Sequence, residues 1–178
     1  MNRIMTGLSI LLVLTLALAP ASVFASEKKA TAPGTELYVH KSPDFLVTVP
    51  KNWSKSDKSK NPNCLLRKAY DPFEVTTFEI AVADQGDEAK EDISDNRMDW
   101  LEENWGATNM EVLYERDTKL KDGTPAYELE LKWQHPAILL YTYYLFVYKD
   151  KKEILVTVTT DAKVSDALKA IPRSLTLE

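Results

Sequence analysis

Ile138-Leu139-Leu140-Tyr141-Thr142-Tyr143-Tyr144-Leu145-Phe146-Val147-Tyr148 is apolar or aromatic at almost every position. Read as a strand, it places Leu140, Tyr144 and Phe146 on one face and Leu139, Tyr141, Leu145 and Val147 on the other. A strand of that kind belongs in the middle of a sheet covered on both sides. Its neighbours are readable from the same period. Upstream, Tyr127, Leu129, Leu131 and Trp133 alternate with Glu128, Glu130 and Lys132, and a short reversal at Gln134-His135-Pro136-Ala137 joins the two segments. Downstream, Lys149 to Lys152 turns into a one-sided strand carrying Ile154, Val156 and Val158. Connections this short require antiparallel pairing, since parallel neighbours need crossovers of a dozen or more residues.

Working outward, Met110 to Glu115 predicts a further strand, linked to Tyr127 through Asp122-Gly123, a strong hairpin signal. Leu65 to Tyr70 and Val75 to Ala83 predict a pair across Asp71-Pro72-Phe73. Leu37 to Val39 and Phe45 to Val49 predict another across Lys41-Ser42-Pro43-Asp44, with Phe45, Val47 and Val49 sharing one face. Lys51 to Asn63 holds Lys51, Lys55, Lys58 and Lys60 among Ser, Asn and Pro and reads as an exposed loop, from which Trp53 folds back over the sheet edge.

The period changes from 2 to 3.6 between about Asp87 and Trp105. Ile93, Arg97, Trp100, Leu101 and Trp105 form one helical stripe, acidic residues including Asp87, Glu88, Glu91 and Asp92 crowd its first turns, and Gly106 is placed to end it. A second, short helix is predicted over Lys163 to Ile171, with Val164, Leu168 and Ile171 inward and Pro172 ending it. The expected fold class is therefore α+β: an antiparallel sheet flanked by helices, layered as a sandwich.

The opening of the chain sets the expected address. Arg3 precedes the apolar run Leu8 to Ala19, which closes at Val23-Phe24-Ala25, the pattern of a secretory signal peptide over residues 1–25. Residues 26–36 hold Lys28, Lys29, Pro33 and Gly34 with no apolar period and read as a flexible tail, leaving residues 37–178 as a single domain. No Cys stands near the expected cut to take a lipid anchor, and no later apolar run is long enough to span a membrane. The expected product is soluble, secreted or periplasmic. Its formal net charge of −5, one unit more negative once Arg3 is removed, argues against nucleic acid or an anionic membrane as partner. Cys64 is the single cysteine, so no intramolecular disulfide is possible, and its apolar setting reads as a buried small hydrophobe.

Three local patterns together resemble the PsbP-like superfamily: Phe45-Leu46-Val47-Thr48-Val49-Pro50 followed by Asn52-Trp53, then Asp122-Gly123-Thr124-Pro125-Ala126-Tyr127 opening an alternating strand, then Ile171 to Leu175 after a terminal helix. The resemblance covers about residues 37–177. It implies an α-β-α sandwich and function by docking to other proteins, the habit of a superfamily that includes a photosystem II subunit, a Ran-binding import factor and many secreted bacterial proteins. It carries over no functional residue to a position here.

Chemistry is sparse. There is no Gly-x-Ser-x-Gly, no Ser-x-x-Lys set, no His-Glu-x-x-His and no glycine-rich phosphate loop, and the whole chain has five glycines. No catalytic residue and no cofactor is expected. Asp92, Asp95, Asp99 and Glu102 share one side of the helix and are candidate ligands for a hard cation such as Ca²⁺, although a solvated helix face is the better reading. The aromatic residues hold more binding potential. Trp53, Trp100, Trp105, Tyr141 and Tyr143 are candidates to line a groove between helix and sheet that admits a peptide or small apolar ligand, with core packing as the competing account. The leading expectation is a binding or accessory protein that docks to another envelope or secreted protein. The alternative is an extracytoplasmic hydrolase or metal-dependent enzyme assembled only in three dimensions, with His135, Asp122 and the helix carboxylates as its first residues.

Overall fold

A computed structural model describes residues 34–85 and 92–178. The leader read at 1–25, most of the tail read at 26–36, and Asp87, Glu88 and Glu91 lie outside the described residues. Ten strands and two α-helices follow in the order β1 (Thr35–Lys41), β2 (Asp44–Pro50), β3 (Ser54–Lys55), β4 (Cys64–Ala69), β5 (Thr77–Asp84), α1 (Ile93–Trp105), β6 (Thr108–Lys119), β7 (Pro125–His135), β8 (Ile138–Lys149), β9 (Lys152–Thr160), α2 (Asp166–Lys169) and β10 (Thr176–Leu177). A 3-10 turn over Pro172–Ser174 links α2 to β10.

Seven strands build one antiparallel sheet in the order β3-β4-β5-β9-β8-β7-β6, and β2 is the middle strand of a second, three-stranded sheet, β1-β2-β10. The doubly apolar strand β8 is interior, as its composition demands. One of its faces sends Tyr143, Leu145 and Val147 into a core shared with Phe45, Val47 and Val49 of β2 and with Val164, Leu168, Ile171 and Leu175 of the C-terminal segment. The other sends Leu140, Tyr144 and Phe146 into a second core closed by Ile93 and Leu101 of α1. Each fully buried aliphatic or aromatic side chain contributes about 1.5–3 kcal/mol, so these two layers are what the sheet gains by being sandwiched.

The expected sandwich with helices on both faces is corrected to a more sheet-rich arrangement. Among the described residues only one face of the large sheet carries a substantial helix. The other is covered by the small sheet, because β2 alternates Phe45, Val47 and Val49 with Leu46 and Thr48 and thus supplies a one-sided apolar ribbon of its own. The predicted helix over Lys163 to Ile171 shortens to the four residues of α2: Ser165 caps it, its hydroxyl accepting from the Leu168 N–H at 3.4 Å, and Pro172 opens the 3-10 turn. Order also starts earlier than Leu37. β1 begins at Thr35, held by the pair between Glu36 and the buried Lys68 of β4 at 2.6 Å.

α1 stops where its sequence says it should. Gly106 takes φ 61° and gives its N–H to Glu102 O at 2.9 Å, while the Ala107 N–H reaches Leu101 O, which together end the helix in a left-handed cap. The Asp122-Gly123 turn closes β6 onto β7 with Gly123 at φ 86°. Ser174 of the 3-10 turn ties the C-terminal segment to the small sheet: its hydroxyl meets Thr48 Oγ1 at 2.7 Å and accepts the Thr48 N–H at 2.9 Å.

Candidate functional site

α1 does not lie flat on the large sheet along its whole length. Between it and the strands is a cleft of about 190 Å³. Arg97, Trp100, Leu101 and Trp105 of α1 form one wall, and Trp133, His135 and Ile138 of the β7–β8 hairpin close one end. Phe73, Glu74 and Val75 from the β4–β5 turn form the facing wall. The floor is different in character. Thr77, Thr142, Thr157 and Thr159 carry hydroxyls into it beside Tyr144 and Leu155. Thr142 accepts from Trp133 Nε1 at 2.9 Å and shares a hydrogen bond with Thr159 at 3.1 Å, so part of this floor is already fixed.

Phe73 is 88% exposed at the rim. Its display is enforced from below: the Asp71 carboxylate accepts the N–H groups of Phe73, Val75 and Thr76 at 2.9, 3.2 and 2.9 Å, and Glu74 sits in the left-handed region at φ 57°. The turn thus holds a large aromatic side chain out of the core and in solvent. Across the rim Lys60 lies 5.8 Å from the Trp105 ring centroid. His135 sits edge-on between Trp105 and Trp133, at 6.5 and 6.3 Å.

The charged groups of the cleft satisfy one another. Arg67 pairs with Glu79 at 2.9 Å and Glu74 at 3.5 Å. Glu74 also takes the Ser56 hydroxyl and Lys58, and although burial pushes its carboxyl up, these partners hold it below its ordinary value. Arg97 pairs with Glu153 at 3.1 Å and stacks on Phe146. What remains open in the cleft is aromatic walls, threonine hydroxyls and one rim cation.

Of the aromatic residues singled out in the sequence, Trp100 and Trp105 line this cleft and Trp53, Tyr141 and Tyr143 do not. Trp53 and Tyr143 are buried in the core on the opposite face of the sheet, where Tyr141 packs beside them. Strand parity separates Tyr141 and Tyr143 from Tyr144. Phe73 and Trp133 escaped attention because turn residues and alternating core aromatics carry no local mark of a cleft. The helix carboxylates Asp92, Asp95, Asp99 and Glu102 are all exposed, and among the described residues no group of three or more His, Cys, Asp or Glu comes together to hold a metal ion. His135 and Asp122 flank opposite ends of the 11-residue β7, about 35 Å apart at some 3.3 Å per residue. The Asp122 carboxylate is spent on the N–H groups of Thr124 and Leu177.

A second polar cluster lies on the other face of the large sheet. Glu128 and Glu130, which read as the wet half of β7, are 1% and 0% exposed. Arg173 grips Glu128 through Nε at 2.6 Å and Nη2 at 3.0 Å, Arg116 adds Nε at 2.9 Å and Nη2 at 2.8 Å, and Tyr143 donates its hydroxyl at 3.0 Å. Burial pushes the Glu128 carboxyl up, but Arg173, Arg116 and Tyr143 together outweigh it and hold the group below its ordinary range. Burial and then the Glu128 charge push the Tyr143 hydroxyl up. Lys169 of α2 meets Glu130 at 2.5 Å and lies 4.8 Å from the Tyr114 ring centroid.

No family model matches the sequence, and no curated protein sequence matches it. The fold, however, is shared with solved structures. The solution structure of cyanobacterial PsbP (CyanoP) from Synechocystis sp. PCC 6803 is similar over 87% of this chain and 99% of that one, at 13% identity and a TM-score of 0.61. The crystal structure of the Saccharomyces cerevisiae Ran-binding protein Mog1p is similar over 82% of this chain and 96% of that one, at 10% identity and a TM-score of 0.56. Identities this low speak to architecture alone: the chain has a PsbP/Mog1-like fold.

Proposed function

We propose that this is an exported accessory protein that works by binding another envelope or secreted protein, taking an apolar or aromatic side chain of that partner into the α1 cleft. The observation that carries the reading is Phe73, displayed by the Asp71 turn beside walls of Trp100, Trp105 and Trp133. An exposed aromatic next to a preformed aromatic cleft is the anatomy of an interface hot spot. The Ran-binding role of Mog1p supports docking as something this fold does elsewhere. Among the described residues no helix is long and apolar enough to cross a membrane.

Peptide selection on the immobilised full domain tests the contact surface. Selected peptides should carry an aromatic or aliphatic anchor, shift the amide signals of α1 and the β4–β5 turn, and lose about tenfold or more in affinity for Phe73→Ala. Peptides that map elsewhere and bind Phe73→Ala unchanged overturn the assignment. Export is tested separately. The native protein should be recovered outside the cytoplasm beginning at Ser26, and an intact cytoplasmic chain starting at Met1 refutes it.

A further inference from the structure

The two sheets have four edges, and three of them are guarded. β3 and β10 are two residues long, too short to template another strand, and β6 carries Glu111, Glu115, Arg116 and Asp117 and breaks register twice against β7. The fourth edge is β1. Its seven residues pair with β2 without a break, it holds no proline or bulge, and it shows Leu37 and Val39 to solvent at 62% and 47% exposure. We propose that β1 is a self-association edge, on which a second copy of this chain adds its own β1 in antiparallel register and joins the two three-stranded sheets into one. The small sheet covers the opposite face of the large sheet from α1, so the inference stands apart from the function proposed for the cleft.

The backbone is the first argument. Gly34 accepts the Lys51 N–H at 2.8 Å, and the β1–β2 ladder keeps one register from there to the hairpin. Glu36, Tyr38 and His40 therefore turn their N–H and C=O groups toward β2, while those of Thr35, Leu37, Val39 and Lys41 point away from it, where no strand follows among the described residues. Pro50, which has no N–H to give, stands opposite Thr35, one of the outward set. A twofold axis at Tyr38 sets Leu37 against Val39 of the second copy and Thr35 against its Lys41, so outward groups meet outward groups at every hydrogen-bonding position. Of the registers that keep this phase, it alone pairs the whole strand.

Side chains are the second. On the outer face the pairing brings Leu37 and Val39 of each copy together, beside Leu46 of β2, which stands opposite Val39. On the inner face Glu36 lies opposite His40 of the second copy, a carboxylate against an imidazole, and Tyr38 lies opposite itself. No two like charges are opposed. Seven residues a side fall short of the about 20–30 that a stable interface uses, so the dimer is a weak one, with a dissociation constant of about 10–500 μM.

Sedimentation equilibrium of the protein as recovered from cells, up to about 1 mM, measures this association. Val39→Pro takes away an outward N–H and leaves the ladder to β2 intact, so it should weaken the dimer about tenfold or more. Leu37→Glu/Val39→Glu and Leu37→Lys/Val39→Lys change exposed side chains alone and should keep the wild-type urea midpoint. Each should be monomeric by itself, because position 37 of one copy meets position 39 of the other with like charge, and a 1:1 mixture of the two should form a heterodimer that weakens with salt. Hydrogen exchange reads the register: as concentration rises through the dimer range, the Leu37 and Val39 amides should slow while those of Tyr38 and His40, already bonded to β2, should not. A protein that stays monomeric at about 1 mM overturns the proposal. So does a dimer that persists in Val39→Pro and in both charge variants, or a mixture of the charge variants that fails to pair.

Discussion

Replacing Glu128 with Gln removes one buried charge and leaves the shape of the side chain intact. Removing one member of a buried ion pair costs about 3–5 kcal/mol, because the partners are left desolvated and uncompensated. Here part of that is recovered: Arg116, with 57% of its side chain exposed, turns to water, and the Gln carbonyl still accepts from Arg173 or Tyr143. The expected loss is therefore about 2–3 kcal/mol at neutral pH, read as a lower urea midpoint and a fall of about 5–10 °C in Tm. The pH dependence separates charge from shape. The folded-state pKa of Glu128 lies below its ordinary 4.5, so the stability it supplies is fully present above that value and is lost as pH falls through the folded pKa. The gap between wild type and Glu128→Gln should be widest at pH 6–7 and close in acid, below about pH 4. A gap under about 0.5 kcal/mol, or one that stays constant down to acid pH, refutes the view that this carboxylate is ionised and held by its arginines.

Gly106→Ala should cost about 1–2 kcal/mol by thermal unfolding, entirely through its φ of 61°, since an added Cβ meets nothing within 4 Å; an unchanged Tm would deny the left-handed cap. Ile80→Ala, fully buried between the sheets, should cost about 2–5 kcal/mol, while Phe73→Ala, removing a larger side chain, should shift the urea midpoint by less than about 0.5 kcal/mol. Comparable losses for the two would contradict the display of Phe73. The Cys64 thiol is pushed up by burial and by Glu79, so iodoacetamide at pH 8 should label the native protein much more slowly than the urea-unfolded chain. Equal rates would place the sulfur in open solvent.

How far the sequence was legible depended on how local each signal was. The apolar faces of β2 and β8, the cap at Gly106 and the Asp122-Gly123 turn are all written within a few residues, and the structure follows them. Glu128 and Glu130 show the limit. They alternate with Tyr127, Leu129 and Leu131 as solvent-facing residues do, but besides Arg116 on the adjacent strand their countercharges arrive from 45 residues away at Arg173 and 39 away at Lys169. Nothing local in β7 announces them. The second sheet was hidden for the same reason: β10 is two residues long and pairs with β2 only because the C-terminal segment is led back across the core. Cys64, read as buried, is only half so, since β4 shifts register between Cys64 and Leu66 at the sheet's margin. For the cleft, helical spacing brought Trp100 and Trp105 together, but which sheet face they would meet is a matter of layer order and not of period.

For the docking proposed at the α1 cleft, the turn that carries Phe73 has a kinetic meaning. Three N–H groups anchored on one carboxylate leave the tip little freedom to surrender when a partner arrives, so the entropic toll of ordering a loop is absent from the encounter. Capture should then proceed at the ordinary pace of rigid surfaces, about 10⁵–10⁷ M⁻¹s⁻¹, and partners of different affinity should differ chiefly in how long they stay.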